Sequence, residues 1–161
     1  MRALVQRVSA GGVYIPKENY TADMGKGMVI LLGIKSDDNV NDVNFVADKC
    51  SGLRIFSQRD ALAEDENEKM NLSLKDIEGE VLIISQFTLY GDARKGNRPS
   101  FIDAARPEIA IPLYEKFIER MKINLGASKV KTGIFGAMME VKIVNDGPVT
   151  ILVESKKKED N

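Results

Sequence analysis

Two continuous apolar runs, residues 28–34 and 81–84, constrain this chain more than any other feature. A strand that is apolar on both faces must be covered on both sides, which excludes a sheet with one wet face. The first run is interrupted by Gly33 and is far too short to cross a bilayer. Cover is supplied by two amphipathic patterns. Val40, Val43, Val46, Ala47, Cys50 and Leu53 form one stripe, on a helix that Asp37 or Asp38 is placed to cap. Ile109, Leu113, Phe117, Met121 and Leu125 recur every four residues after Pro107, with Pro112 marking a kink or the true first turn.

The remaining elements are β in character. Residues 2–8 alternate as an opening strand, and short strands are expected at 12–15 and 21–24 around a Pro16 turn. Gly25-Lys26-Gly27 turns the chain into the first apolar run. Residues 53–56 read as a further strand and the polar, acidic stretch 57–69 as an exposed loop. Residues 90–101 form a Gly- and Arg-rich loop. At the end, Met139, Val141 and Ile143 share a face of a hairpin that turns at Asn145-Asp146-Gly147-Pro148 and returns along 149–154. Eight or so strands and two helices, with no repeat and no linker, predict one α+β domain over 1–154, a curved and mostly antiparallel sheet packed by two helices. Residues 155–161 read as a charged, flexible tail.

Histidine is absent, and the one cysteine is Cys50, on the apolar stripe of the first helix. The usual general base, the usual nucleophile activator and the commonest transition-metal ligand are thereby missing together. A disulfide and a multi-thiolate metal site are excluded as well. Neither a metal nor another cofactor is expected. Cys50 reads as a small buried core residue, since nothing basic is spaced to activate it. A net charge of −1 gives no global attraction to nucleic acid, so an RNA partner requires a local patch. With neither a basic-then-apolar leader nor a spanning segment in view, no membrane association is expected and the cytosol is the expected compartment.

Taken singly, the polar segments leave their meaning open. Ser85-Gln86-Phe87-Thr88-Leu89 offers hydroxyls, an amide and backbone donors directly after a buried strand, yet Ser85 and Thr88 equally suit the satisfaction of strand-end backbone groups. Asn145-Asp146-Gly147-Pro148 alone suits an ordinary turn. As a pair, however, Ser85 to Leu89 and Asn145-Asp146-Gly147-Pro148-Val149-Thr150 resemble the signature motifs of the D-aminoacyl-tRNA deacylases. Further matches are Gln6-Arg7-Val8, Leu31-Leu32-Gly33-Ile34, Leu53-Arg54-Ile55-Phe56, Lys69-Met70-Asn71, Lys95-Gly96-Asn97-Arg98-Pro99-Ser100-Phe101, and Thr132-Gly133 followed by Phe135-Gly136. The agreement in order and spacing runs from Met1 to about Val153. The acidic stretch before Lys69, the Gly11-Gly12 pair and the lysine tail depart from the family pattern without touching a motif.

The resemblance implies the family's barrel-like fold and a homodimer that hydrolyses the ester of D-aminoacyl-tRNA, and of glycyl-tRNA, while sparing L-esters. Backbone N–H groups around Phe87 and Thr88 would stabilise the oxyanion as water attacks, with Ser85 and Gln86 holding the terminal adenosine. Thr88 has two possible roles, nucleophile or main-chain donor. The second is favoured, because a threonine hydroxyl without a neighbouring base is a poor nucleophile; the ribose 2′-OH of the substrate would assist instead. Gly147-Pro148, cis in the family, would enter the partner subunit's pocket and exclude L side chains by contact with its two carbonyls, supported by Arg7. Phe135 and Met139 would flank the pocket, and Arg94, Lys95 and Arg98 would meet tRNA phosphates. Lys156, Lys157 and Lys158 would add a weak attraction that Glu159 and Asp160 partly offset. Two rivals remain. One is the sister branch that edits L-alanine from threonine tRNA, disfavoured by Phe87 and the surroundings of Asp146 and Val149. The other is a nucleic-acid-binding module without catalysis.

Overall fold

The structure, a computed structural model, describes residues 1–60 and 69–155. Among the described residues there are six strands: β1 (Arg2–Ile15), β2 (Tyr20–Met24), β3 (Gly27–Gly33), β4 (Glu80–Ser85), β5 (Val130–Thr132) and β6 (Glu140–Glu154). The described residues also form two α-helices, α1 (Val40–Gly52) and α2 (Pro107–Leu125). The strands form one mixed sheet in the order β2-β1-β3-β4-β5, with β6 on the other edge of β1. Pairing is antiparallel around β1 and parallel across β3, β4 and β5. The sheet curls until its two ends meet, where the Tyr20 hydroxyl of β2 donates to the Thr132 carbonyl of β5 at 2.9 Å.

Alternation along β3 and β4 divides the interior. Met28, Ile30, Leu32, Val81 and Ile83 join the core beneath the helices, while Val29, Leu82 and Ile84 fill the inside of the curl with Val8, Val13 and Ile15. Both faces of the two apolar runs are therefore covered, as their composition requires. From the helices, Val43, Val46, Ala47 and Cys50 of α1 and Leu113, Phe117 and Met121 of α2 are buried. The expected stripes extend one residue too far: Val40 and Ile109 are exposed, at 44% and 43%.

Several local expectations are corrected. The cap of α1 is Asn39, whose side chain accepts from the Asn41 amide while Asp42 accepts from the Asn39 amide. Asp38 is instead engaged by the Met1 ammonium and the Lys35 amide. Residues 53–56 make only an isolated bridge, Phe56 to Leu72. Ser57 and Asp60, expected in an exposed loop, are buried, because the Asp60 carboxylate accepts from the Ser57 amide and hydroxyl and from Lys26. Residues 61–68 of that loop, and the lysine tail from residue 156, lie outside the described residues. α2 begins at Pro107, where a missing N–H costs nothing, so Pro112 lies inside the helix rather than at its start.

The largest correction concerns the two ends of the chain. Residues 2–8 and 12–15 are parts of one strand rather than two, and residues 139–154 are not a hairpin. β6 runs antiparallel to β1 throughout, pairing Tyr14 with Glu140 at one end and Arg2 with Glu154 at the other. Between the pairs Gln6–Thr150 and Val8–Asn145, the residues 146–149 of β6 oppose Arg7 alone. The Asn-Asp-Gly-Pro segment is thus a bulge in a long strand. A fourteen-residue partner edge satisfies more backbone groups than the short hairpin would.

Candidate active site

The site is built where the β3–β4 ladder ends. Leu32 pairs with Ser85, the Gln86 amide donates to the Leu32 carbonyl at 2.7 Å, and the chain then tightens into a 3-10 turn, Phe87–Tyr90. Gly33 permits this: a Cβ there would lie 3.1 Å from both the Gln86 carbonyl oxygen and the Leu89 Cβ. The turn is closed by the Leu89 amide on Gln86 and the Gly91 amide on Thr88. Its first two amides, Phe87 and Thr88, precede the first i→i+3 bond and have no hydrogen-bond acceptor among the described residues.

Beside this turn lies a pocket of about 710 Å³ lined by Ser85, Gln86 and Phe87 on one side and Phe135, Met138 and Met139 on the other. Ile84, Leu32 and Val141 contribute its apolar floor. Phe135 is half-buried against Tyr114, ring centroids 5.7 Å apart, and the Tyr114 hydroxyl donates to the Ile83 carbonyl at 2.9 Å. Burial raises the Tyr114 pKa, so this hydroxyl stays a donor. Met139 lies directly over Gly133, where an added Cβ would stand 2.5 Å from its sulfur. Phe87 is 56% exposed and rests on the edge of Phe101, 5.1 Å between centroids. The Gln86 side-chain amide donates to the Thr88 hydroxyl oxygen. A donor in that position withdraws electron density from the hydroxyl, the opposite of what a general base does. Among the described residues, no three cysteine or carboxylate side chains are grouped as metal ligands.

Arg7, Gly147 and Pro148 form a second cluster, across β1 and β6. The Gly147–Pro148 peptide is cis, and Gly147 has φ 127°, a conformation L residues rarely adopt. Arg7 is buried beneath it, donating from Nε to the Asp146 carbonyl at 3.0 Å and from Nη1 to the Ile55 carbonyl at 2.8 Å. The Asp146 carboxylate lies 3.6 Å from Arg7 Nε and 3.2 Å from Arg59 Nη2. Gly147 and Pro148 are exposed in the single chain and do not line its own pocket.

Arg94, Lys95 and Arg98 lie in a third place, the exposed loop pinched by pairing of Asp92 with Ser100. Arg94 grips Asp92 with two nitrogens, at 2.9 and 2.7 Å, and this pulls the Asp92 pKa down to about 2. Arg94 faces a separate cleft of about 930 Å³ with Arg2, Lys35, Asp103 and Tyr90. The loop nevertheless ends at Phe101, in contact with Phe87.

Of the residues singled out from sequence, then, Ser85, Gln86, Phe87, Phe135 and Met139 surround one pocket, with Thr88 next in the turn; the other six stand outside it. Sequence reasoning missed Met138, 82% exposed at the rim, Tyr114 behind Phe135, and Arg59 against Asp146. Tyr114 was findable, since it adjoins Leu113 on the apolar stripe of α2. Arg59 was not, because 87 residues separate it from its partner.

Comparison with known proteins adds a separate line of evidence. The profile of the family described as D-Tyr-tRNA(Tyr) deacylase matches residues 4–154. A D-aminoacyl-tRNA deacylase of Flavobacterium psychrophilum is 51% identical, covering 99% of this chain and 100% of the relative. One from Clostridioides difficile is 54% identical over 98% of this chain and 99% of the relative. Among solved structures, a c-Myc DNA unwinding element binding protein superposes with a TM-score of 0.86 at 35% identity, covering 98% of this chain and all of the other. A probable eukaryotic D-amino acid tRNA deacylase superposes at 0.83 with 18% identity, covering 95% of this chain and 98% of the other, a likeness of fold. With the family profile spanning nearly the whole chain and half of all positions identical to those relatives, this protein belongs to the D-aminoacyl-tRNA deacylase family.

Proposed function

We propose that the pocket beside the Phe87–Tyr90 turn receives the aminoacylated 3′ end of a tRNA and hydrolyses the ester of D-aminoacyl-tRNA, releasing D-amino acid and free tRNA. The observation that carries this reading is the pair of adjacent amides, Phe87 and Thr88, without acceptors among the described residues, at a pocket that offers no histidine. Such amides stabilise charge that develops on a carbonyl oxygen, and removal of one comparable donor costs about 2.7–4 kcal/mol in other hydrolases. Ser85 and Gln86, at the ladder's end, take the terminal adenosine. Water attacks the ester, the ribose 2′-OH assists, and the Thr88 side chain is not the nucleophile. An aminoacyl ester is already activated, so holding it in place supplies much of the required rate.

Chirality is read by exclusion. Gly147-Pro148 lies outside its own chain's pocket, on a stiff bulge backed by Arg7, and in a homodimer it enters the partner's pocket with its carbonyls toward the α-carbon of the substrate. A side chain in the L configuration collides there, whereas hydrogen does not, so D-esters and glycyl esters enter. Phe135 and Met139 flank the aminoacyl group. Lys95 and Arg98, with Arg94 held by Asp92, meet tRNA phosphates. The cytosol, where tRNA is charged, is the proposed compartment; no helix among the described residues is long and apolar enough to cross a membrane.

Incubation with D-tyrosyl-, L-tyrosyl- and glycyl-tRNA, following released amino acid, tests the reading. Loss of the D and glycyl esters with the L-ester spared is expected; equal decay of D and L would end the stereochemical part. Thr88→Ala retains turnover if the backbone acts and abolishes it if the hydroxyl is the nucleophile. A second reading, nucleic-acid binding without chemistry, draws on the relative at 35% identity whose name describes binding to a DNA unwinding element. It predicts duplex or single-stranded DNA binding by a protein that leaves all three esters intact.

A further inference from the structure

The turn that carries the Phe87 and Thr88 amides is held at two ends. The β ladder holds the first, through the Gln86 amide on Leu32 at 2.7 Å. The second is held by a side chain 87 residues earlier in the sequence. Arg2 donates from Nη1 to the Leu89 carbonyl at 2.9 Å, and its guanidinium carbon lies 4.7 Å from the centre of the Tyr90 ring. The Leu89 carbonyl lies beyond the last backbone bond of the turn, so it depends on a donor from elsewhere. Arg2 is itself fixed, because Nε pairs with Glu154 Oε1 at 2.6 Å and the two residues face each other in the β1–β6 ladder. Tyr90 is buried at 8% exposure and makes a rigid surface for the guanidinium.

We infer that Arg2 is a positioning residue for deacylation: it locks the far end of the turn, so that the Phe87 and Thr88 amides keep one direction toward the reacting carbonyl. The inference rests on the proposed role of those amides. A single four-residue 3-10 turn is soft by itself, and a donor pair stabilises an oxyanion only when aimed at it. Stabilisation of this kind acts as charge develops, so loosening the turn lowers kcat and leaves KM almost unchanged. Only a planar fork can meet Glu154, Leu89 and the Tyr90 face together; a lysine supplies one point charge and cannot.

The test compares the full-length protein with Arg2→Ala, Arg2→Lys and Glu154→Gln, using D-tyrosyl-tRNA and amide hydrogen exchange. Arg2→Ala should lower kcat by about ten- to a hundredfold with KM within about twofold, as small misalignments of reacting groups do. Millimolar methylguanidinium should restore part of that loss, and Arg2→Lys should keep the melting temperature while recovering little of kcat. Glu154→Gln leaves the Leu89 and Tyr90 contacts and should cost less than about threefold. Exchange should quicken at the bonded amides of residues 89–91 in Arg2→Ala and stay unchanged at 81–84. Wild-type kcat in Arg2→Ala, or faster exchange spread over the whole sheet, would overturn the inference. Inactivity of the wild-type protein would instead sink the reading of the site, and the exchange pattern would still decide whether Arg2 holds the turn.

Discussion

Replacing Arg7 by Met tests the support under the Gly147-Pro148 bulge most directly. Methionine fills much of the same buried space but removes every polar contact. Lost are the bonds to the Asp146 carbonyl at 3.0 Å and the Ile55 carbonyl at 2.8 Å, together with an ion pair at 3.6 Å. A hydrogen bond from a charged donor contributes about 1.5–3 kcal/mol. The bond to Ile55 is buried, so that carbonyl is left without water, whereas the Asp146 carbonyl is partly exposed and recovers some solvation. The expected loss is therefore about 3–4 kcal/mol, with the ion pair adding less than about 1 kcal/mol because Asp146 is 24% exposed. At this chain length that lowers the melting temperature by about 10 °C, leaving a folded protein in the usual range of stabilities. The control is Asp146→Asn, which keeps the carbonyl and should cost less than about 1 kcal/mol. Thermal unfolding of both variants, with the ratio of D- to L-tyrosyl-tRNA hydrolysis, gives the answer. Arg7→Met should lose stability and discrimination together. If it unfolds within 1 °C of Asp146→Asn and still spares the L-ester, the two backbone bonds do not support the bulge as argued.

Gly147→Ala should disturb the same bulge from above, since φ 127° is foreign to alanine and its Cβ would stand 3.0 Å from Val149 and 3.1 Å from Arg7; a loss of about 2–4 kcal/mol is expected by chemical denaturation. Asp60 governs acid stability. Burial pushes its pKa up, but the Ser57 amide and hydroxyl and Lys26 outweigh this, so the folded value lies below the ordinary 3.8. A carboxyl lowered on folding stabilises the protein above its unfolded pKa and loses that contribution as pH falls through the folded value, so unfolding free energy measured from pH 5 downward should fall less steeply in Asp60→Asn. The Cys50 thiol, pushed up to about 12 by burial, should resist alkylation at pH 8 in the native protein and react at once in guanidinium chloride; rapid native labelling would show that α1 opens readily. Phe117→Ala, at 0% exposure between the helices and the sheet, should cost about 3–5 kcal/mol in a denaturant titration.

Much of the fold was legible because the relevant physics is local. Residues 28–34 and 81–84 are apolar on both faces, and that alone demands a sheet covered twice. The four-residue spacing of Leu113, Phe117 and Met121 produces a helix with one buried face, and these residues do pack inward. The pocket residues were legible in part, since Ser85 to Thr88 follow a buried strand directly. Errors fell where local signals compete. Asp38 and Asn39 are both good caps, and the choice went to Asn39 because Asp38 is drawn to the Met1 ammonium. Ser57 and Asp60 look like loop residues until each is seen to satisfy the other in the interior.

Sequence alone determined the strand and helix character of most segments, the absence of histidine chemistry and the motif pairs that mark the family. Only the tertiary structure decided that residues 140–154 run as one strand along the whole of β1, which turns an apparent hairpin tip into a bulge resting on Arg7. Alternation in residues 139–154 is the same whether they fold back on themselves or lie along a distant partner. The decision belongs to the free edge of β1, whose Arg7 reaches Asp146 across 139 residues, and no local preference of the chain encodes a contact at that separation.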